Sequence, residues 1–480
     1  MIKNKYLALL IFVLVLRVTG HAQSSVFNPY SRYGLGELSS STLAHNRAMG
    51  GAFVALKPDS TMPIFVNTGN PAAYSLIKLT SLEVGGTYLY STFKSNAGIS
   101  RNYSANFAYG LLGFPVRRNG GACFGIMPYS NIGYDAKTVS NEIAFGDITY
   151  KYNGAGNINK AQIGYGVMPF DRRLQKFRNK RQYIADSLKY LSHAAFKFRE
   201  FGSKILSDLS IGVNVNYLFG NVVNTVKVEY PNSLLYNNTL RERVLTLGDF
   251  TGNFGLQSAI TIDSVAIGHH KNRALKEKVK FTFGYFMALN NKLKADYYTA
   301  AYNYILNGSG QEILRDTVYF NQLNKSSIQL PLEQGFGLGF KKGERLNLVA
   351  DFAITNWKQF KYLNETNTFK NNYRVAIGMN YVPEKYAAGR GSYVKRMNYR
   401  LGASYQSGYI QLSNTLISDY YVSGGIGLPV GIGRLSSMVN LSAQYGRMGT
   451  LKNNLLQQNY WRINFGFTFS DRWFQKFRYD

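Results

Sequence analysis

The chain has 480 residues, and its composition separates it from ordinary soluble and disordered proteins. Aromatic residues make up 15% and charged residues only 17%, against roughly 25% charged residues in a typical soluble globular protein. These values exclude a disordered chain and a coiled coil, and the excess of 29 basic over acidic residues indicates a polyanionic neighbour such as nucleic acid, lipid headgroups or lipopolysaccharide.

The N-terminus predicts export. A short basic start, Met1–Lys5, precedes an unbroken apolar run, Tyr6–Leu16, and the small residues Gly20 and Ala22 follow. Eleven apolar residues are too few for a transmembrane helix, which needs about 20. We therefore interpret residues 1–22 as a cleaved signal peptide. Export excludes nucleic acid as a partner and leaves membrane lipid and lipopolysaccharide as the nearby anions.

Residues 23–80 are predicted to form an N-terminal plug, because they carry glycine pairs and turns without sustained alternation. Asn followed by Pro at a tight turn fixes the backbone, and an irregular segment inside a barrel must satisfy its polar groups against the wall. A lone Asn-Pro is usually only a turn, but its position directly before the first strand favours a gating role. The candidate plug and gating residues are Met49, Gly50, Gly51, Asn70, Pro71 and Ala72.

From residue 81 to 470 apolar and polar residues alternate, which predicts strands. In the last segment Trp461 and Phe465 occupy one face, while Asn464 and Gly466 occupy the other. Small polar residues suit a crowded lumen, so the pattern favours an all-β fold, a transmembrane antiparallel barrel, over a soluble β-protein. Fourteen strands are predicted, beginning near Leu82, Tyr103, Ala122, Ala161, Leu209, Phe254, Val279, Gln329, Leu346, Tyr373, Met397, Tyr421, Val439 and Trp461.

Pro128 interrupts the third predicted strand, shortly after Gly125. Proline cannot donate a ladder hydrogen bond and is avoided inside paired strands. A barrel has no free edge to accommodate it. The sequence therefore predicts a bulge or gap in the barrel wall near Gly125 and Pro128.

Four polar, Asn-rich connections are predicted after strands three, five, seven and nine. If the plug and the N-terminus are periplasmic, the order of the strands places all four outside the cell. They cover residues 137–157, 221–246, 292–326 and 361–371.

The connection after strand four, residues 171–208, is long and basic for a predicted periplasmic turn. Ten Lys or Arg stand against four acids over these 38 residues, and Ile184, Leu188 and Leu191 follow helical spacing. Two interpretations stay open: a docking element for a periplasmic or secretion-system protein or the inner leaflet, and an insertion that packs under the barrel. A strand count wrong by one would place the element outside the cell. The candidate docking residues are Arg172, Arg173, Arg178, Lys180 and Arg181.

The sequence offers little for catalysis or metal binding. Cys123 is the only cysteine, and the only histidine pair, His269–His270, lies in a basic stretch, residues 268–280, that is predicted to be turn-like and solvated. Adjacent strand residues point to opposite faces, so neither a metal nor a cofactor is predicted. No alternation places a histidine beside a serine and an acid, and an enzyme is therefore not predicted.

The stretch from Met49–Phe53 through Asn70–Ala73 to Leu82–Gly86 resembles the FadL/TodX family of outer-membrane transporters for long-chain fatty acids and other hydrophobic compounds. The resemblance implies a fourteen-strand barrel, an N-terminal hatch with an Asn-Pro-Ala turn at Asn70–Ala72, and a lateral opening near Pro128. It also implies passive uptake gated by the plug. The basic insertion and the basic, aromatic tail at residues 471–480 depart from that pattern. PorV-like relatives share the plan and serve protein secretion, so a non-transporting scaffold stays an alternative.

Overall fold

The computed structural model describes residues 27–58, 65–117, 119–170, 202, 205–231, 236–270, 273–362, 369–387, 392–430, 437–471 and 473. For residues 263–270, 273–277 and 322–325 it describes the backbone alone. The predicted signal peptide, the five candidate docking arginines and lysines, and nearly all of the C-terminal tail lie outside the described residues.

The plug precedes the barrel and contains only short elements. These are a 3₁₀ turn at Pro29–Arg32, strand β1 (Glu37–Leu38), helix α1 (Ala44–Arg47) and a second 3₁₀ segment at Pro71–Leu76. Asn28 and Asn70 each cap the 3₁₀ segment that follows them by accepting a backbone N–H two residues on.

Fourteen antiparallel strands close into a barrel whose first and last strands pair with each other, as the alternation predicts. They are β2 (Thr80–Ser95), β3 (Gly98–Arg117), β4 (Gly120–Glu142), β5 (Gly146–Val167), β6 (Ser210–Glu229), β7 (Asn238–His270), β8 (Arg273–Ala288), β11 (Glu333–Lys342), β12 (Leu346–Thr355), β14 (Asn372–Tyr381), β15 (Asn398–Gln406), β18 (Asp419–Val430), β19 (Ser437–Gly449) and β20 (Gln457–Asp471).

Eight further short or accessory elements of the described chain lie in the connections, and two of them matter for the site. Strands β9 (Lys292–Leu306) and β10 (Glu312–Gln329) form a hairpin outside the wall. The others are a 3₁₀ turn at Trp357–Gln359, β13 (Lys361–Tyr362), helix α2 (Tyr393–Arg396), β16 (Gln411–Leu412) with β17 (Thr415–Leu416), and a 3₁₀ turn at Lys452–Asn454.

The wall is apolar outside and polar inside. On β20, Trp461 and Phe465 are 50% and 53% exposed, whereas Asn464 between them is 1% exposed. Such an inverted arrangement is stable where hydrocarbon surrounds the wall, because pairing between neighbouring strands satisfies the backbone polar groups within the wall. None of the helices in the described ranges has the length and apolarity to cross a membrane.

Three of the four predicted polar connections are strands rather than loops. The β4–β5 ladder continues to Glu142–Gly146, and the β9–β10 hairpin pairs with the outer part of β7 from Leu247 to Asn238. The loop prediction over residues 137–157, 221–246 and 292–326 was wrong, because strands that rise above the bilayer meet water and lose their apolar alternation. We call the outer parts of β4, β5, β6 and β7, together with β9 and β10, the outer sheet.

Two other predictions about connections need correction. The stretch 268–280 is not turn-like: the ladder of β7 with β8 runs to His270–Arg273, and only residues 271–272 between them lie outside the described chain. In the fourth connection, β13 pairs with β10 through Tyr362 and Ile328. Both cases show backbone pairing where the polar sequence indicated solvated loops.

The plug runs from the outer end of the barrel towards the inner end. Asn28 donates its backbone N–H to the Gly133 carbonyl on the outer part of β4 at 2.7 Å. Further along the chain, Pro71 lies against Gly212 near the inner end, and β2 begins there at Thr80. The first described residues therefore lie at the end of the barrel that carries the outer sheet.

Candidate functional site

Two buried wall carboxylates hold the plug by its backbone. Asp351 on β12 accepts the N–H groups of Phe53 and Val54 at 2.6 and 2.8 Å, and Glu83 on β2 accepts that of Val66 at 2.6 Å. A buried backbone N–H left without an acceptor costs about 1–3 kcal/mol. Both acids therefore anchor the irregular backbone of the plug within the polar lumen.

The predicted residues Met49, Gly50 and Gly51 form a tight turn pressed onto the wall. Gly50 and Gly51 have φ of 67° and 70°, a left-handed conformation that favours glycine. The hydroxyl of Tyr421 donates to the Gly50 carbonyl at 2.9 Å. A Cβ on the facing wall residue, Gly402, would overlap the Gly50 nitrogen, so wall and plug meet backbone to backbone.

The predicted Asn70, Pro71 and Ala72 form a second contact near the inner end. The amide of Asn70 donates to the Val54 carbonyl at 2.8 Å, and its oxygen accepts the Ala72 N–H at 3.2 Å. Pro71 lies against Gly212, where a Cβ would overlap the Pro71 carbonyl carbon. The Asn-Pro-Ala turn thus joins two parts of the plug to each other and to the wall, and its gating role stays a prediction.

Above these contacts the lumen holds a cavity of about 350 Å³. Its lining is amphipathic: seven aromatic and seven charged residues contribute. Glu37 and Arg462 form an ion pair at 3.2 Å, and Asp419 accepts a hydrogen bond from the Tyr460 hydroxyl at 3.0 Å. The remaining charged lining residues are three cations, Arg47, Lys160 and Arg374, and one carboxylate, Glu333.

An aromatic lid closes the outer end of the cavity. The rings of Trp357 and Tyr409 stack at 3.9 Å, and Phe360 and Phe369 pack around them. Burial raises the pKa of the Tyr409 phenol, which stays protonated and donates to the Gly36 carbonyl of the plug at 3.2 Å. The lid therefore ties two outer connections to the start of the plug.

The wall ladder between β3 and β4 is incomplete. Pairing runs from Arg117–Gly120 up to Gly110–Ile126 and stops there, although both strands continue outwards. Gly125 lies next to the last rung, and Pro128 lies at a bulge in the pairing of β4 with β5. The outer half of β3, residues 98–109, is consequently separated from β4 within the described chain.

The plug fills the edge that β3 leaves on β4. Strand β1 pairs antiparallel with Ser130 and Asn131, and Ser39 donates its N–H to the Tyr129 carbonyl at 2.8 Å. We call residues 28–39 the latch segment. The Tyr30 hydroxyl secures it at the outer rim by donating to the Leu456 carbonyl at 2.5 Å and accepting the Leu456 N–H at 3.1 Å.

The other sequence candidates are not assembled into a site. His45 is buried against Phe65 with ring centroids 4.5 Å apart, and Cys123 is buried in a cluster with Tyr74 and Leu111. The side chains of the pair His269–His270 are outside the described part of the chain. Within that part, no three His, Cys, Asp or Glu side chains group as metal ligands would.

Sequence comparison places the chain in a family. A family model described as BamG matches residues 1–174 and 195–480. The chain belongs to the BamG family. No curated protein matches this BamG-family chain significantly.

Solved structures show which fold this BamG-family chain has. It is similar to the P. putida toluene transporter TodX, with 13% identity over 91% of this chain and 100% of that chain and a TM-score of 0.51. A TodX ΔS2S3 mutant, a monoaromatic hydrocarbon channel, gives 15% identity over 90% and 99% and a TM-score of 0.50. The Ralstonia pickettii toluene transporter TbuX gives 11% identity over 90% and 98% and a TM-score of 0.47. The FadL/TodX resemblance is confirmed at the level of the fold.

Proposed function

We propose that this protein is an outer-membrane channel for passive uptake of hydrophobic compounds such as long-chain fatty acids, gated by its plug and releasing ligand sideways through the wall. The observation that carries the proposal is the interrupted β3–β4 ladder, whose open edge is occupied by β1 of the plug. A short plug strand can leave such an edge without opening the rest of the barrel.

The cavity supports an amphipathic ligand. Leu35, Glu37 and Leu38 of the latch segment line it, so a bound molecule would lie directly behind the gap. An acyl chain would pack against the aromatic lining, and a carboxylate would meet Lys160 and Arg374. Movement of the latch segment would then connect the cavity with the membrane.

A removable covalent lock tests the exit route. Leu38 and Ser130 are cross-strand partners, and partners in an antiparallel pair have Cα atoms about 4.5–5.5 Å apart, within disulfide range. In a Cys123→Ser background, Leu38→Cys with Ser130→Cys should abolish uptake of radiolabelled oleate into outer-membrane vesicles when oxidised. Reduction should restore it.

The matched control places a disulfide where the ladder is already continuous. Thr92 and Arg101 are partners between β2 and β3, so Thr92→Cys with Arg101→Cys should leave uptake unchanged under both conditions. Uptake that continues through the oxidised Leu38–Ser130 pair would exclude lateral exit. Absence of oleate uptake in the unmodified protein would remove the transport function altogether.

The second candidate is a non-transporting scaffold or secretion component, and exposed apolar residues on β10 favour it. Val318, Tyr319 and Phe320 are consecutive on β10 and are 58%, 50% and 59% exposed. Contiguous apolar surface of this kind marks protein interfaces. Val318→Asp with Phe320→Asp should release a co-purifying protein while oleate uptake persists. Retention of every co-purifying protein would argue against this candidate.

A further inference from the structure

Helix α1 of the plug carries a buried histidine that makes no hydrogen bond. His45 is 3% exposed, and neither of its ring nitrogens has a hydrogen-bond partner within the described part of the chain. The ring packs against that of Phe65, with the centroids 4.5 Å apart. Burying an unpaired polar group costs free energy, and burying an unpaired charge costs far more. The place of this ring therefore suits a neutral imidazole and not an imidazolium.

Short contacts hold α1 on the wall. The Tyr109 hydroxyl accepts the Ala44 N–H at 3.2 Å, and the Arg47 guanidinium donates to the Asn464 side-chain oxygen at 2.8 Å. A Cβ on the wall residue Gly425 would lie 2.7 Å from the Cβ of Ala48. Because the helix lies this close to the wall, His45 reaches water only when α1 leaves its seat.

The charges around α1 oppose an additional positive charge. Arg400 interacts electrostatically with His45, and burial together with this cation holds the pKa of His45 well below its usual value. Glu83 already accepts the Val66 N–H and interacts with Arg400. The charged and titratable groups around the helix are Arg47 on α1 itself, Glu83 on β2, Tyr109 on β3, Arg400 on β15, Tyr421 on β18 and Arg462 on β20, and β19 contributes the neutral Gln444.

We propose that His45 makes the seating of the plug sensitive to pH, because a proton on its ring displaces α1 from the wall. The inference rests on the movable plug of the proposed function but not on any ligand. In a displaced plug the ring meets water and titrates near its ordinary pKa of about 6.5. The displaced state then binds the proton more tightly than the seated state. Its population therefore rises as the pH falls below that value, and the seated state is favoured above it.

The open fraction of single channels in planar bilayers tests the proposal. A pKa of about 6.5 in the displaced state and a much lower one in the seated state give a rise of about thirtyfold in the ratio of open to closed channels from pH 7.5 to 5.0. His45→Phe keeps a ring against Phe65 but cannot be protonated, and it should reduce the rise to less than threefold. His269→Gln with His270→Gln is the matched control, because it removes two histidines at the far end of β7, and it should keep the thirtyfold rise.

Amide hydrogen exchange of residues 43–52 gives a readout that does not need conduction. The unmodified protein and His45→Phe are compared at the same pH, which cancels the chemical pH dependence of exchange. The unmodified protein should exchange at least tenfold faster than the variant at pH 5.0 and within twofold of it at pH 7.5. Heat-dependent gel mobility checks that each barrel is folded; if His45→Phe fails this check, His45→Gln replaces it.

The outcomes separate the switch from the transport function. Equal exchange of the two proteins at pH 5.0, or a full pH response of the open fraction in His45→Phe, would overturn the proposal. Oleate uptake at pH 7.5 without either pH effect would support the channel and overturn the switch. The exchange difference in a protein that takes up no oleate would support the switch and contradict the transport function.

Discussion

Replacing Asp351 with alanine should unseat the plug. The carboxylate accepts the N–H groups of Phe53 and Val54 at 2.6 and 2.8 Å and is 3% exposed. Alanine leaves both donors buried without an acceptor. Because these bonds tie the middle of the plug to β12, their loss favours displaced conformations of the plug without breaking any rung of the wall ladder.

The magnitude follows from the two bonds. A hydrogen bond to a charged group contributes about 1.5–3 kcal/mol, so losing both destabilises the seated plug by about 3–6 kcal/mol. Since 1.4 kcal/mol is a factor of ten, the ratio of displaced to seated plug should rise by roughly 10² to 10⁴. Asp351→Asn, which keeps one acceptor oxygen without the charge, should give a smaller rise.

Single-channel conductance in planar bilayers measures this ratio as the fraction of time spent open. Asp249→Ala is the matched control, because Asp249 also accepts two backbone N–H groups, those of Phe250 and Lys294, but has no recorded bond to the plug. We expect Asp249→Ala to conduct like the unmodified protein. Equal open fractions for Asp351→Ala and the control would refute the role assigned to the wall carboxylate.

Three further substitutions follow from the same contacts. Gly402→Val should push the turn at Gly50 off the wall, where even a Cβ would overlap, and raise conductance at least tenfold. Tyr30→Phe removes both hydrogen bonds to Leu456 and should speed amide hydrogen exchange in the latch segment. Unchanged exchange rates would show that Tyr30 does not hold the latch segment to the rim. Pro128→Ala restores a backbone N–H beside the gap and should reduce oleate uptake with normal gel mobility; undiminished uptake would count against the gap as exit.

The wall could be predicted from the sequence because lipid and lumen impose opposite demands on alternate residues. Trp461 and Phe465 face outwards and Asn464 inwards, as the pattern required. The same logic failed above the bilayer. Residues 292–326 lie above the bilayer, where polar and apolar residues are mixed along β9 and β10 and no strict alternation marks the strands.

The contacts that hold the plug were only partly visible in the sequence. The Asn-Pro-Ala turn and the glycine pair stand out as local motifs, but Glu83 and Asp351 do not. Their signal is positional: each is an acid at an inward position of its strand, with Glu83 between the inward residues Ser81 and Gly85, and Asp351 between Val349 and Ala353. The partner of each acid is a backbone N–H of the plug, and only the folded chain brings the two together.

Under the proposed function, the distribution of anchors predicts which part of the plug moves first. The section from Met49 to Ala72 is held by two buried carboxylates and by backbone contacts with wall glycines. A ligand bound with micromolar affinity provides about 8 kcal/mol in total, and only its differential affinity for the open state can shift the plug. The two bonds that Asp351 makes account for about 3–6 kcal/mol alone.

The latch segment, which also borders the gap, has fewer charged anchors, chiefly the partly exposed Glu37–Arg462 pair. For the proposed uptake we therefore expect opening to begin at residues 28–39, while the deeper plug stays seated.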